Sequence, residues 1–258
     1  MNIVVLSPKN RGVGITMTAY ALAIEIKHRG EFVQLMDVNP DRPSLLNMYK
    51  SVPKHRGEAV DGMTNLTQLI RTGTVNPEDL SNCAVDMGVD TVCVTPNITL
   101  PEIMEIVGLT KKCQIEGRNF YTIIDLNIEN SSSELFKHCL QNADVCVFVM
   151  TQDIEHIINI KNCRQLNDKA LQEHGISTIY CVNRYEECAM PLKDIWDMME
   201  VKSTKNWFKV RYNKHVLQVK SRGFYAQFAK ALHDSNDPDI ATIKADISRI
   251  ASYALNRR

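Results

Sequence analysis

The chain has 258 residues, of which 44% are hydrophobic and 23% are charged. These values are typical of a globular protein that is long enough to bury one large core or two small ones. The 30 basic and 30 acidic residues give a formal net charge of zero. Overall charge therefore argues for no particular partner, and any electrostatic binding has to arise from local clusters.

The first residues and the cysteines indicate where the protein works. Met1-Asn2 leads directly into a strand-like run, and no apolar stretch approaches the ~18 residues that a membrane-spanning helix needs. The eight cysteines form no Cys-x-x-Cys pair, and several lie inside apolar runs. This pattern favours reduced core thiols over a zinc site or a disulfide framework. We therefore expect a soluble, cytoplasmic protein.

Six short apolar runs, rich in Val, Ile and Thr and mostly without polar alternation, predict buried strands. They lie at residues 2–6, 32–38, 91–96, 121–126, 144–150 and 177–183. Helix-like segments follow between them, at residues 16–29, 99–111, 131–142, 153–174 and 191–200. Alternating strands and helices predict a doubly wound, mostly parallel α/β sheet with helices on both faces.

The remaining segments complete this outline. Residues 41–82 are polar and turn-rich, which predicts surface excursions and short helices. Residues 239–255 carry apolar side chains at helical spacing; a helix packed on the sheet explains them more simply than a membrane-targeting helix does. No internal repeat or Pro/Gly-rich linker interrupts the chain, so we expect one domain over residues 1–258.

The first strand leads into a loop, residues 7–16, that has the composition of a phosphate-binding turn. Gly12 and Gly14 lie just before the first predicted helix, and Thr16 lies at its start. Backbone N–H groups at such a helix N-terminus bind anions. A tight turn without any ligand explains the glycines equally simply.

Three other strand ends carry polar residues, and parallel strands bring their carboxyl ends to one edge of the sheet. Asp37 ends the second strand, Asp125 lies near the end of the 121–126 strand, and Asn183-Arg184 follow the 177–182 run. Each has a structural alternative, because both aspartates are common helix caps and asparagine is a common turn residue. Their joint arrival at one edge favours a ligand site.

In this order the segments resemble the ParA/MinD family of deviant Walker (SIMIBI-class) P-loop ATPases over nearly the whole chain. The family's phosphate loop, first helix and second strand resemble this chain's stretch SPKNRGVGITMTAYALAIEIKHRGEFVQLMDVNP. The family's Walker B strand resembles FYTIIDLNIEN, and its adenine-recognition strand end resembles YCVNRYE. The resemblance implies a three-layer P-loop sandwich, a homodimer, and ATP (or ADP) with Mg²⁺ as cofactors.

The resemblance also assigns roles to residues. Asp37 would position the attacking water, Thr16 and Asp125 would hold magnesium, and Asn183 and Arg184 would contact the adenine. The nucleotide would otherwise be bound by the loop residues Lys9, Asn10, Arg11, Gly12, Val13, Gly14, Ile15 and Thr16.

The phosphate loop departs from the family pattern. Lys9 and Arg11 replace loop glycines, Asn10 replaces the signature lysine, and Ile15 replaces the P-loop lysine. Losing a charge-assisted contact costs about 1.5–3 kcal/mol, which is one to two orders of magnitude in affinity at ~1.4 kcal/mol per decade. We therefore expect ATP hydrolysis to be very slow or absent. Lys9 or Arg11 either replaces the missing cation or is a solvated loop charge.

The segment 201–233 contains no Asp or Glu. Its basic residues are interleaved with aromatic ones, which is the pattern of a surface that binds DNA phosphates without sequence specificity. The alternatives are a solvated face and a site for an acidic protein. The candidate DNA-binding residues are Lys202, Lys205, Lys209, Arg211, Lys214, Lys220 and Arg222.

These features predict a nucleotide-dependent, dimerising spatial organiser with weak or absent hydrolysis, in plasmid or DNA partition or in positioning a pilus-type surface machine. The alternative is a nucleotide-free pseudo-ATPase that serves as a scaffold for partner proteins. A third hypothesis, a dinucleotide-binding oxidoreductase, is less favoured because the first turn lacks Gly-x-Gly-x-x-Gly.

Overall fold

The computed structural model of the chain describes residues 1–8, 12–39, 44–48, 53–95, 97–113, 120–127, 133–214, 216, 225–234 and 236–256. The first predicted strand, residues 2–6, is confirmed: β1 covers Asn2–Leu6, and every one of its residues is buried. The same agreement, to within a few residues, holds for all six predicted strands.

The described strands form one eight-stranded sheet in the order β3-β4-β2-β5-β1-β6-β7-β8. Every neighbouring pair is parallel except β3 and β4, which are antiparallel. After β1 the strands are β2 (Phe32–Asp37), β3 (Val85–Asp86), β4 (Asp90–Cys93), β5 (Phe120–Leu126), β6 (Val145–Met150), β7 (Ser177–Tyr185) and β8 (Trp207–Arg211). This topology confirms the doubly wound α/β sheet.

Most helices lie between these strands as predicted and two follow the last strand, with one correction. They are α1 (Ile15–His28), α2 (Ser44–Met48), α3 (Pro53–Thr72), α4 (Asp79–Asn82), α5 (Leu100–Thr110), α6 (Glu134–Gln141), α7 (Ile154–Glu173), α8 (Leu192–Met198), α9 (Tyr225–Asp234) and α10 (Pro238–Leu255). The expectation of only short helices in 41–82 is wrong, because α3 has 20 residues. Its buried stripe is thin (Ala59, Met63, Leu66 and Ile70), so the polar majority of the segment concealed it.

Strands β3 and β8 were not predicted. β3 has two residues, too few for a periodic signal. β8 lies at one edge of the described sheet and mixes apolar with basic residues in the sequence WFKVR. An edge strand tolerates such polar residues because one side of it faces solvent.

Two apolar clusters sandwich the sheet. One includes α1, α9 and α10, and the other includes residues of α3, α5, α6 and α7. Four isoleucines of α10 (Ile240, Ile243, Ile247 and Ile250) are buried in the first cluster, so the apolar stripe of the last helix packs on the sheet as expected. Within the part of the chain that the structure describes, no helix combines the length and apolar composition needed to cross a bilayer.

Candidate functional site

The turn between β1 and α1 has the backbone of an anion-binding site. Gly12 and Gly14 adopt positive φ angles of 73° and 92°. Gly14 precedes the first turn of α1, and no side chain caps that helix end. The first N–H groups of a helix have no intrahelical acceptor, so they can bind an anion. Lys9, Asn10 and Arg11, which the sequence also assigned to this loop, lie outside the described residues.

Ile15, which the family resemblance aligns with the P-loop lysine, belongs to the core. Its side chain is 6% exposed and packs in the cluster between α1 and the sheet. A hydrocarbon side chain buried in this way offers no charge to a ligand. The first turn of α1 therefore provides backbone dipoles and no cation at this position.

Asp37 and Asp125 lie side by side at the carboxyl edge of the sheet. They are register partners on β2 and β5, and both are fully buried. Burial raises the pKa of Asp37 to about 6. It raises the pKa of Asp125 well above its usual range, and the neighbouring Asp37 charge adds to that shift. Two of the four predicted segments therefore do supply carboxyls at one place.

The two carboxyls differ in their hydrogen bonds. Oδ1 of Asp37 accepts from the backbone N and from Nδ2 of Asn39, at 3.0 and 2.7 Å, and Oδ2 accepts from Leu45 N at 2.8 Å. Neither oxygen of Asp125 has a hydrogen bond of good geometry in the described structure, and the Thr16 hydroxyl is the side-chain donor that interacts with it. Asp37 thus holds the first turn of α2 to the strand end, which is the capping role considered from the sequence. Asp125 is the carboxylate that remains free for a ligand.

Thr16 lies near Asp125. Its half-buried hydroxyl opposes the rise in the pKa of Asp125, because it favours the ionised carboxyl. The two residues predicted to hold a metal ion therefore come together from α1 and β5. A hydroxyl and a carboxylate are oxygen ligands of the kind that Mg²⁺ prefers.

Asn39 is a site residue that the sequence analysis did not identify. Besides its bonds to Asp37, Nδ2 of Asn39 donates to the Asp125 carbonyl oxygen at 2.9 Å, and Oδ1 accepts from Asn127 N at 2.7 Å. The side chain therefore ties the ends of β2 and β5 together. An asparagine two residues after a strand-ending aspartate is a common turn signal, which is the clue that the sequence contained.

Asn183 lies against the loop. Its Nδ2 donates to the Val13 carbonyl oxygen at 2.6 Å, and its Oδ1 accepts from Arg184 N at 2.9 Å. Arg184 has a left-handed backbone, with φ 53°, where the pairing of β7 and β8 is irregular. The strand end therefore meets the phosphate loop as predicted. Adenine contact by Asn183 and Arg184 stays a prediction.

Several basic residues of the 201–233 segment form ion pairs within the chain and are therefore less available to bind DNA than the sequence indicated. Arg211 donates from Nε and Nη2 to the buried carboxylate of Asp246, both at 2.9 Å. Lys209 pairs with Glu187 at 2.6 Å and Lys214 pairs with Asp239 at 3.2 Å. Lys202 and Lys205 are exposed and form no ion pair within the described residues. Lys220 and Arg222 lie outside the described residues.

The arrangement fits a magnesium–nucleotide complex in two respects. Buried carboxylate oxygens without partners are rare unless a cation or another group satisfies them, and Asp125 has two of them. The glycine turn before α1 offers N–H groups to phosphates. Asp125 and Thr16 are the residues that would hold the metal, and the loop from Gly12 to Thr16 would hold the phosphates.

Comparisons with known proteins identify the fold. No protein-family model and no curated protein sequence matches the chain. Among solved structures, a ParA-family ATPase from Chlorobium tepidum matches with a TM-score of 0.69 at 13% identity, covering 98% of this chain and 97% of that one. The cell-division ATPase MinD of Pyrococcus furiosus matches with a TM-score of 0.68 at 14% identity, covering 99% and 98%.

A third similar structure contains a nucleotide analogue. It is a putative plasmid partition protein from Borrelia burgdorferi bound to AMPPNP, with a TM-score of 0.65 at 13% identity, covering 100% of this chain and 99% of that one. At these identities the similarity establishes the fold. This chain therefore has the three-layer α/β fold of the ParA and MinD ATPases over its whole length.

Proposed function

We propose that this protein is an atypical ParA/MinD-like ATPase relative that binds ATP or ADP with Mg²⁺ at the carboxyl edge of the sheet and acts in the cytoplasm as a dimerising spatial organiser. The observation that carries the proposal is the buried Asp125, whose carboxylate oxygens have no partner, beside an uncapped helix N-terminus with a glycine turn. Magnesium, when bound, would neutralise phosphate charge next to that carboxylate.

Hydrolysis is proposed to be very slow or absent. Ile15 is buried where transfer requires a placed positive charge. Asp37, which the family resemblance assigns to the attacking water, has both oxygens engaged with Asn39 and Leu45. The site would therefore hold a nucleotide as a conformational signal rather than consume it quickly.

A second copy of the chain is the proposed partner at this edge. Six large apolar side chains are more exposed than usual in the described structure. Three of them, namely Leu100, Ile154 and Tyr212, lie at the starts of the segments that follow the carboxyl ends of β4, β6 and β8. An apolar rim around a ligand site suits a dimer that closes over the nucleotide.

The cellular role is proposed from the fold and the remaining free charges. DNA or plasmid partition would use non-specific contacts to phosphates, for which the exposed Lys202 and Lys205 are available. Positioning of a pilus-type surface machine would require a partner protein instead. Sedimentation of DNA-bound protein at low and high salt separates these two, since phosphate contacts weaken steeply with salt.

The central experiment measures mass in solution by light scattering, with and without Mg-ATP, together with the melting temperature. The proposal expects Mg-ATP to raise the melting temperature, because a ligand of the native state stabilises it, and to produce a dimer. Asp125→Asn should abolish both effects. Robust single-turnover hydrolysis that Asp37→Ala abolishes would contradict the proposal of slow turnover.

A nucleotide-free scaffold is the second candidate. Two observations favour it: Ile15 is part of the core, and the Asn183 amide is already bonded within the chain. This candidate expects no thermal shift with Mg-ATP at millimolar concentration and no change in mass. It also expects Asp125→Asn to leave binding of a partner protein unchanged.

A further inference from the structure

We propose that Asn183 is a positioning residue for the phosphate loop, so that it acts on every phosphate-bearing ligand and does not merely recognise the base. The hydrogen bond between Asn183 and the Val13 carbonyl oxygen is a feature of the ligand-free protein. Its consequence for ligands rests on the proposed nucleotide-binding function.

The contact joins two distant parts of the chain in a buried place. Nδ2 of Asn183 donates to the Val13 carbonyl oxygen at 2.6 Å across a separation of 170 residues. Val13 is fully buried, and Asn183 is 9% exposed. Because a buried carbonyl that loses its donor carries a large desolvation penalty, this bond holds the loop to the end of β7.

The orientation of the amide is determined by its two bonds. Oδ1 accepts from Arg184 N at 2.9 Å while Nδ2 faces the Val13 carbonyl oxygen. A flipped amide would place an oxygen against the Val13 carbonyl oxygen and an NH₂ against the Arg184 N–H, and both contacts would be repulsive. The left-handed backbone of Arg184 is a strained conformation in the residue whose N–H completes this arrangement.

Gly14 completes the contact from the loop side. A Cβ atom added to Gly14 would collide with Nδ2 of Asn183, and its φ of 92° is itself unfavourable for any other residue. Glycine at this position therefore permits both the turn that exposes N–H groups and the close approach of Asn183. The loop conformation and the Asn183 side chain depend on each other.

Two roles for Asn183 make different predictions about ligands. A base-recognising residue matters for ATP and does not matter for inorganic tripolyphosphate, which has no base. A loop-positioning residue matters equally for both ligands, because both require the same N–H groups. The comparison of these two ligands therefore separates the roles.

The first experiment measures binding of Mg-ATP and of magnesium tripolyphosphate by calorimetry. We expect Asn183→Ala to weaken both by a similar factor, about tenfold, on the scale of one lost buried hydrogen bond. The matched control is Asn206→Ala, since Nδ2 of Asn206 donates to the Thr178 carbonyl oxygen at 2.9 Å at the other end of β7. The control should lower the melting temperature to a similar extent and leave both affinities unchanged. Weakening of ATP alone would overturn the proposal.

The second experiment needs no ligand. Amide hydrogen exchange of the peptide covering residues 12–18 should accelerate about tenfold or more in Asn183→Ala and stay unchanged in Asn206→Ala, because only the first variant releases the loop. Unchanged exchange in Asn183→Ala would overturn the proposal whatever the ligands do. If the unmodified protein bound neither ATP nor tripolyphosphate, the proposed nucleotide function would fail, and exchange would still decide whether Asn183 holds the loop.

Discussion

Asp37 and Asp125 are register partners on adjacent parallel strands, yet Asp37 accepts three hydrogen bonds within the chain and the Asp125 carboxylate accepts none. The difference arises because α2 and Asn39 fold back onto the end of β2 and donate to Asp37, while the start of α1 brings only the Thr16 hydroxyl towards Asp125. Asp37 therefore serves the local structure, and Asp125 is the group with unused capacity to bind a ligand.

Asp125→Asn is predicted to stabilise the metal-free protein. The substitution removes a carboxyl whose ionisation is disfavoured by burial and by the neighbouring Asp37 charge, and it keeps the shape of the side chain. We expect the free energy of unfolding in EDTA to rise by about 1 kcal/mol or more at pH 8, as measured by urea denaturation. Magnesium should raise the melting temperature of the unmodified protein and not that of the variant.

Asp37→Asn is the matched control, because it removes the same charge from a carboxyl that is hydrogen-bonded. An amide cannot accept all three of the bonds that Asp37 accepts, so we expect stability to fall by about 1–2 kcal/mol. Equal effects of the two substitutions would contradict the division of roles between the aspartates.

The stability of the metal-free protein is predicted to fall as pH rises. Folding raises the pKa of Asp37 from 3.8 to about 6 and that of Asp125 further, so the folded state holds these protons more tightly than the unfolded chain. The resulting destabilisation is absent below the unfolded pKa, grows as pH rises through the folded pKa of Asp37, and is fully present above both folded values. The measurement is the difference in unfolding free energy between the unmodified protein and Asp125→Asn from pH 5 to 8. A difference that does not change with pH would exclude this origin.

Ile15→Lys is predicted to trade stability for affinity. A lysine in place of a buried isoleucine lowers the free energy of unfolding without ligand by about 1–3 kcal/mol, since its charge has to reach solvent or a phosphate. Binding of Mg-ATP should tighten about tenfold or more, because the lysine supplies a charge-assisted contact. Ile15→Met, which adds length without charge, is the control for calorimetry. Equal affinities for the two variants would show that the loop already has its cation.

Lys202→Glu with Lys205→Glu is the sharper test of DNA binding. Both lysines are exposed without ion pairs in the described structure, so the double variant should keep its melting temperature. If DNA is a partner, removing two phosphate contacts lowers the slope of log affinity against log salt by about 2. Fluorescence anisotropy with labelled duplex DNA at several salt concentrations measures this slope. An unchanged slope would remove these lysines from any DNA surface.

Arg211→Ala is predicted to act on stability. Asp246 is fully buried on its side chain, and Arg211 is its bidentate partner; Arg249 also contacts it, at 3.3 Å. Losing the Arg211 side chain leaves the buried carboxylate with Arg249 and with the backbone N of residue 211, which donates at 3.2 Å; the loss of the two guanidinium bonds costs about 1–3 kcal/mol. Urea denaturation should show this loss, and Arg211→Ala together with Asp246→Asn should recover part of it. If Arg211→Ala left the free energy of unfolding unchanged, the pairing with Asp246 would not explain this arginine, and contact with DNA phosphates would again be a candidate role for it.

The sequence predicted the frame of the site because that frame is local. The apolar composition of runs such as residues 2–6 and 121–126 is enough to predict that they form buried strands. The carboxyl ends of parallel strands lie at the same edge of the sheet in any such fold. Asp37, Asp125 and Asn183 were therefore found from their positions alone. The long helix α3 was not found, since only four of its apolar positions are buried and most of its other positions are polar.

What the sequence determined by itself is the alternation of six strands with helices and the four strand ends at one edge, because these depend on composition and spacing along the chain. Tertiary structure alone decided which polar groups satisfy each other. Asn39 donates a hydrogen bond to Asp37, and Asn183 donates one to the Val13 carbonyl oxygen. Asp246 pairs with Arg211. The Asp125 carboxylate is left without a hydrogen bond of good geometry. Such pairings join residues up to 170 positions apart, and a buried polar group is satisfied by whatever the fold brings to it rather than by its neighbours in sequence.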